Sequence, residues 1–276
     1  MWGLILGNQY RTVLSVLFSV LSLSFSEIAL SGAWLPPKDS GVVIIMTTQS
    51  KSDLAYSSQG LVGASTDFSK TESSFYTERG LSDKVAFVGS VSLQQQKFLS
   101  GSSVTSYFGL GEASLGLRIK AYQKHGFIMS IQPSMLYTGQ NEKFSTLDQR
   151  SIAPNAELRA LIGYGRTLKN IPVYFDMQIA RKFGFETVPN ETRVDMTLGM
   201  KPWEKIEVTA QAYHSETDLL DQSPRIALPT QSLKGQMSVI YHRSPVTAFQ
   251  VGIIQTLDGK NIIKERAITA GIWRTF

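Results

Sequence analysis

The chain has 276 residues, 42% of them hydrophobic, with a mean hydropathy of −0.04. That balance is too polar for a helical membrane protein, and no run of about 18 apolar residues follows the N-terminal stretch, so transmembrane helices are excluded. The absence of cysteine rules out disulfides and thiolate chemistry. A net charge of +5 without any Lys/Arg cluster leaves no footprint for nucleic acid.

The first element is an export signal. Arg11 is followed by an apolar stretch from Val13 to Phe25, broken by serines, and then by the small residues Ser31, Gly32 and Ala33. This layout predicts a secretory signal peptide over 1–33, cleaved near Ser31 to Ala33, with a mature chain from near Trp34. No Cys follows the apolar stretch, which excludes a lipoprotein anchor.

From Val42 onward the chain divides into twelve short segments, beginning near Val42, Thr71, Lys84, Ala113, Phe127, Asn155, Pro172, Thr192, Lys205, Ser232, Val246 and Ile262. Several alternate strictly. Val194, Met196, Leu198 and Met200 interleave with Arg193, Asp195, Thr197 and Gly199, and Ile206, Val208, Ala210 and Ala212 interleave with Glu207, Thr209, Gln211 and Tyr213. A soluble β-protein alternates in the same way but turns its apolar side to a core. Behind an export signal, the apolar side faces lipid and the polar side a lumen. The first segment, Val42-Val43-Ile44-Ile45-Met46, is apolar throughout and does not declare its facing.

Short connections alternate with longer ones. Gly80-Leu81-Ser82-Asp83, Lys124-His125-Gly126, Lys169-Asn170-Ile171, Lys201-Pro202-Trp203 and Arg243-Ser244-Pro245 carry turn residues. Lys51 to Lys70, Lys97 to Gly111, Gly139 to Pro154 and Leu219 to Gln231 read as loops. The predicted fold is therefore all-β: one transmembrane antiparallel up-and-down β-barrel of about twelve strands over 34–276, with short turns and both termini periplasmic. Aromatic residues near segment ends, including Trp203, Trp273, Phe276, Tyr241, Tyr137, Tyr164, Phe183 and Phe185, suit interfacial girdles. Pro133, in mid-segment, predicts a bulge or a local break.

Gly32-Ala33-Trp34 with a following Pro-containing segment, and then Glu78-Arg79-Gly80-Leu81-Ser82-Asp83-Lys84, resemble the start of XagA-like outer-membrane proteins. They are more loosely similar to the barrels named after the meta-pathway of phenol degradation. The resemblance covers the layout of the whole mature chain but only these short stretches in residues. It implies a barrel of about twelve strands, a turn between the second and third of them, and a terminal aromatic, Phe276, read by the barrel-assembly machinery. Most members are labelled transporters, and no catalytic or binding residue carries over.

Enzymatic chemistry finds no constellation. His125 falls in a turn, while His214 and His242 fall at opposite ends of their strands. Tyr213-His214-Ser215-Glu216 would suit a lipid hydrolase, but adjacent strand residues point to opposite faces. No catalytic residues, no cofactor and no metal ligands are expected. Parity places Arg118, Lys120, Glu157, Arg159, Asp176, Lys182, Arg193, Asp195 and Glu207 on the lumen. They read equally as a pore lining that biases passage or as salt bridges that fill the barrel. Within the segments, Glu157 is expected to pair with Arg159 and Asp195 with Arg193. No carboxylate lies between Ala113 and Lys120, so Arg118 and Lys120 are expected to be unpaired and to favour anions. The functional expectation is a channel for small solutes in outer-membrane lipid. Its alternative is a surface barrel associated with adhesion or polysaccharide, with a hydrolase behind both. A lumen closed by its own side chains, or by residues before Val42, is the feature that would favour the alternative.

Overall fold

In a computed structural model, residues 32–100, 103–139, 153–185, 188–222 and 225–276 are described. Residues 1–31 of the export signal expected over 1–33, and most of the loop before Pro154, lie outside them. Fourteen strands follow one another: β1 (Gly41–Tyr56), β2 (Val62–Ser82), β3 (Val85–Ser100), β4 (Ser103–Lys124), β5 (Phe127–Thr138), β6 (Ala153–Leu168), β7 (Ile171–Gly184), β8 (Glu191–Trp203), β9 (Ile206–Thr217), β10 (Leu220–Gln222), β11 (Arg225–Ala227), β12 (Gln231–Ser244), β13 (Thr247–Lys260) and β14 (Arg266–Thr275). Twelve of them pair antiparallel into a closed barrel, with β1 joined to β14. Strands β10 and β11 form a separate hairpin between β9 and β12. Closure leaves the main sheet no free edge, the condition for burying a backbone in lipid.

The alternation sorts the residues as the sequence predicts. On β5 every second side chain from Ile128 to Leu136 is buried, while Met129, Ile131 and Met135 are exposed. The exposed series continues around the wall through Leu198, Met237, Ile253 and Ile268, the last 68% exposed. In water such a continuous apolar outer face would aggregate; in a bilayer it is the solvated face. Trp203, Tyr241, Phe276, Tyr137, Tyr164, Phe183 and Phe185 lie on this outer face. Trp273 does not: it points inward and donates its indole N–H to Gln250 Oε1 at 3.0 Å.

At the turn end, His125 and Gly126, and likewise Lys169 and Asn170, take positive φ. Two successive left-handed residues match the twist of a two-residue hairpin. The start of β1 meets Phe276 at the same rim, where Gly41 N–H donates to the Phe276 carbonyl at 2.9 Å and Phe276 N–H returns a bond of 3.0 Å.

One expectation changes and two open readings resolve. The stretches 51–70 and 97–111 are not loops, since β1 and β2 pair out to Tyr56 and Val62, and β3 and β4 out to Ser100 and Ser103. Backbone pairing needs no apolar face, so the ladder continues where the hydrophobic alternation that announces it fades. At Pro133 the β4–β5 ladder is interrupted between Gly116↔Ser134 and Ile119↔Ile131 without a change of register, so the defect is a break rather than a bulge. Strand β1 resolves with Val42, Ile44 and Met46 inward and Ile45 outward, which puts apolar side chains on the lumen.

Candidate functional site: the barrel lumen

The inward side chains of all twelve barrel strands surround a cavity of about 450 Å³. Ile44, Met46, Val88, Ile240 and Trp273 form an apolar part of its wall, and Glu112, Arg118, Glu157, Arg159 and Arg193 a charged part. Gly32 also lines it. The segment that precedes β1 thus lies inside the barrel.

That segment enters from the rim where the short turns sit. Lys38 bridges Gly80 next to the β2–β3 turn, and Asp39 N–H donates to the Gly80 carbonyl at 2.9 Å. From there the chain runs inward. Trp34 packs on Ala33, Ile128 and Leu161 and meets the Tyr174 ring edge to face, with centroids 6.3 Å apart. Gly163 makes room for the indole, since a Cβ there would lie 2.5 Å from a Trp34 ring carbon. The backbone is tied down as well. Ala33 N–H donates to Asp176 Oδ2 at 2.7 Å, the Ala33 carbonyl accepts from Ser130 Oγ at 2.7 Å, and the Trp34 carbonyl accepts from Arg118 Nη1 at 3.1 Å. All three of these bonds go to side chains of the barrel wall, as a buried backbone demands.

The expected lumen residues divide into groups. Arg118 is not unpaired: its Nη1 lies 2.9 Å from Glu78 Oε1, its Nε donates to Gln132 Oε1 at 3.0 Å, and its Nη2 donates to the Tyr76 hydroxyl at 3.3 Å. Glu78 comes from β2, two strands away around the wall, so a search along β4 alone could not find it. Lys120 bonds Gln123 Oε1 at 2.9 Å beside a bulge at the turn end, away from the cavity. The basis for an anion preference at this pair is gone.

Arg159 stands between Glu157 (Nε to Oε1, 3.0 Å) and Asp195 (Nη1 to Oδ2, 2.8 Å). The expected pairing of Glu157 with Arg159 is present, but Asp195 pairs with Arg159 rather than with Arg193. Arg193 instead meets Glu112 at 3.1 Å and Glu191 at 3.0 Å, and Lys182 meets Glu191 at 3.2 Å. Glu112 is on β4 and Arg193 on β8, with three strands between them in the wall. The concave inside of a closed sheet brings such strands within reach of long side chains, so pairs across the wall form beside pairs two residues apart on one strand, such as Arg193 with Glu191. Glu207 accepts from the Tyr174 hydroxyl at 2.8 Å and faces His242 Nε2 at 2.9 Å.

Residues missed in the sequence are thus Glu78, Glu112, Glu191 and the Ala33–Trp34 seat. One signal did exist. Ile128 and Leu161 have the parity of the polar lumen yet are apolar, which a purely wet interior does not explain. His214 and Ser215 lie on opposite faces: Ser215 Oγ bonds Ser232 Oγ at 2.8 Å, while His214 sits opposite Val194 and Leu233 in the outward register.

No protein-family model and no curated protein matches the chain. Among solved structures it is similar to an outer-membrane channel from Pseudomonas putida F1, with a TM-score of 0.69 and 13% identity over 91% of this chain and 100% of that one. It is also similar to the translocator domain of the autotransporter NalP from Neisseria meningitidis (TM-score 0.45, 10% identity, 97% of this chain and 96% of that one). The NanC porin gives a TM-score of 0.48 at 7% identity, over 82% of this chain and 98% of that one. The first likeness is one of fold. A closed antiparallel barrel, apolar outside and polar within, is the architecture of the bacterial outer membrane.

Proposed function

We propose that the chain is a passive outer-membrane channel for small solutes, stoppered by the segment around Trp34. The observation that carries this reading is the cavity of about 450 Å³ walled by every barrel strand. A barrel of eight strands is filled by its own side chains, whereas this one keeps room for a small molecule beside a mixed apolar and charged wall. The short turns and both ends of the mature chain belong in the periplasm in this reading, so the stopper enters from the periplasmic side. The channel from Pseudomonas putida F1 shares the fold, and the Glu78–Lys84 turn supports a XagA-like affiliation. Passage by diffusion needs no cofactor and no chemical step. With Arg118, Arg159 and Arg193 all paired, the wall offers weak discrimination between anions and cations.

A second reading draws on the same segment, because residues before Val42 do occupy the lumen. A surface barrel that passes nothing would look alike at rest. Planar-bilayer conductance separates the two. The channel reading expects intermittent openings in the native protein and a higher open probability in Trp34→Ala, which removes the packing on Ile128, Leu161 and Tyr174. Silence from both proteins at all voltages would leave the surface barrel as the reading.

A further inference from the structure

We infer that the export signal is cut between Ser31 and Gly32, and that the α-ammonium created on Gly32 docks on the Asp176 carboxylate inside the barrel. The inference rests on the export and barrel parts of the proposed function and not on conductance.

The first observation is Ala33. It is 0% exposed, and both its backbone polar groups are bonded to the wall, to Asp176 and to Ser130. A cut after Ala33, leaving Trp34 first, would remove both bonds and strand two buried partners, each at the cost of an unmade hydrogen bond. Ala33 therefore stays in the mature chain. A cut between Gly32 and Ala33 would set Leu30 three residues before the scissile bond, where small residues are required. The bond from Ser31 to Gly32 is preceded by Ala29 and Ser31 at the two positions that the peptidase reads.

The second observation is Asp176. It is 1% exposed, accepts from Ala33 N–H and from Gln178 Nε2 at 2.9 Å, and among the described residues forms no ion pair within 4 Å. Its neighbours in the lumen differ: Glu78, Glu112, Glu157, Glu191 and Asp195 all meet an arginine within 4 Å. A buried carboxylate without a counter-charge in contact is costly, and Arg118, the wall cation whose charge reaches it, is committed to Glu78. The third observation is Gly32. Its φ is +92°, and a Cβ built on it would fall 2.0 Å from Asp176 Oδ2 and 2.5 Å from Oδ1. The α-carbon is thus held against the carboxylate, and an amine carried on that carbon is placed to pair with it. Any residue other than glycine would collide.

The covalent step is hydrolysis by a signal peptidase. Water adds to the Ser31 carbonyl carbon and the bond to the Gly32 nitrogen breaks. Ser31 leaves as a carboxylate, and Gly32 takes up a proton as an ammonium at neutral pH. Because Gly32 is buried in the folded barrel, the cut precedes assembly. An uncut chain would have to bring residues 1–31 into a lumen with about 450 Å³ to spare, so processing is what allows the stopper to seat.

The test uses the protein extracted folded from outer membranes, with its intact mass and N-terminal sequence. Gly-Ala-Trp-Leu at the start is the expected result; a chain starting at Trp34, or retaining any of 1–31, overturns the proposal. An amine-selective acylating reagent near neutral pH then probes the docking. The Gly32 α-amine should react on the order of tenfold more slowly in the folded protein than in the same protein unfolded in urea, and Asp176→Asn should abolish most of that protection. Equal rates in the folded and unfolded wild type overturn the docking without any variant having to fold. Neither readout depends on whether the barrel conducts.

Discussion

Glu78 and Arg118 face each other across the lumen side of β3, 2.9 Å apart, with 1% and 4% of their side chains exposed. Tyr76 donates its hydroxyl to the same carboxylate, and Gln132, the Trp34 carbonyl and the Tyr76 hydroxyl accept from further guanidinium donors. The pair therefore joins the barrel wall to the entering segment. Removing one partner leaves a buried charge, so Glu78→Gln or Arg118→Gln should each cost roughly 3–5 kcal/mol, while a paired replacement by Met at both positions should cost less than either. Urea unfolding in detergent, followed by tryptophan fluorescence, reads the difference. Single variants as stable as the wild type would remove the pair from the list of what holds the barrel.

The two faces of the wall should respond oppositely to charge. Leu198 is on the outer face of β8, and Leu198→Arg should cost roughly 2–4 kcal/mol in bilayers. Thr209 on β9 lines the cavity, so the same cation introduced there can extend into a wet space and should cost less. Folding titrations into lipid vesicles compare them. Equal losses at both positions would contradict the assignment of faces.

Phe276 closes the barrel with its backbone, and the residue is 55% exposed. Phe276→Ala keeps both bonds to Gly41. It is expected to lower the outer-membrane yield in cells severalfold while refolding from urea into detergent proceeds almost normally. Unchanged yield in cells would mean that the ring is not read during assembly.

Glu265, in the connection between β13 and β14, supplies a pH dependence. Burial pushes its carboxyl up, but Lys234 and Lys70 outweigh that and hold it at about 2, against an ordinary 4.5. A carboxyl depressed in the folded state stabilises fully above its unfolded value, and that stabilisation is lost as pH falls through the folded one. Thermal melts between pH 6 and pH 2 should show the wild type losing stability below pH 4.5, with Glu265→Gln less stable at pH 6 and flatter below. Parallel curves for the two proteins would show that the cluster contributes nothing.

The period of two, the tight turns and the terminal aromatic strand were legible in the residues from Val42 to Phe276. They specified a barrel and which side of most strands meets lipid, because facing in a strand is a local property repeated every second residue. Even Pro133 announced its break, since its missing N–H is lost to any ladder it joins. At the far ends of the longest strands, Lys51 to Tyr56 or Lys97 to Ser100, that legibility ended, because the apolar face thins there to single residues such as Leu54 and Leu99. Pairing inside the lumen was not local at all. Arg118 with Glu78, Arg193 with Glu112 and Ala33 with Asp176 meet across a closed wall, at separations in the chain of 40, 81 and 143 residues. Which charges neutralise each other, and that the chain's own N-terminal segment occupies the space between them, follows from the curvature that closes twelve strands into a ring. Only the tertiary structure decides that, because the distance across a lumen is set by the whole circumference and by no single stretch of sequence.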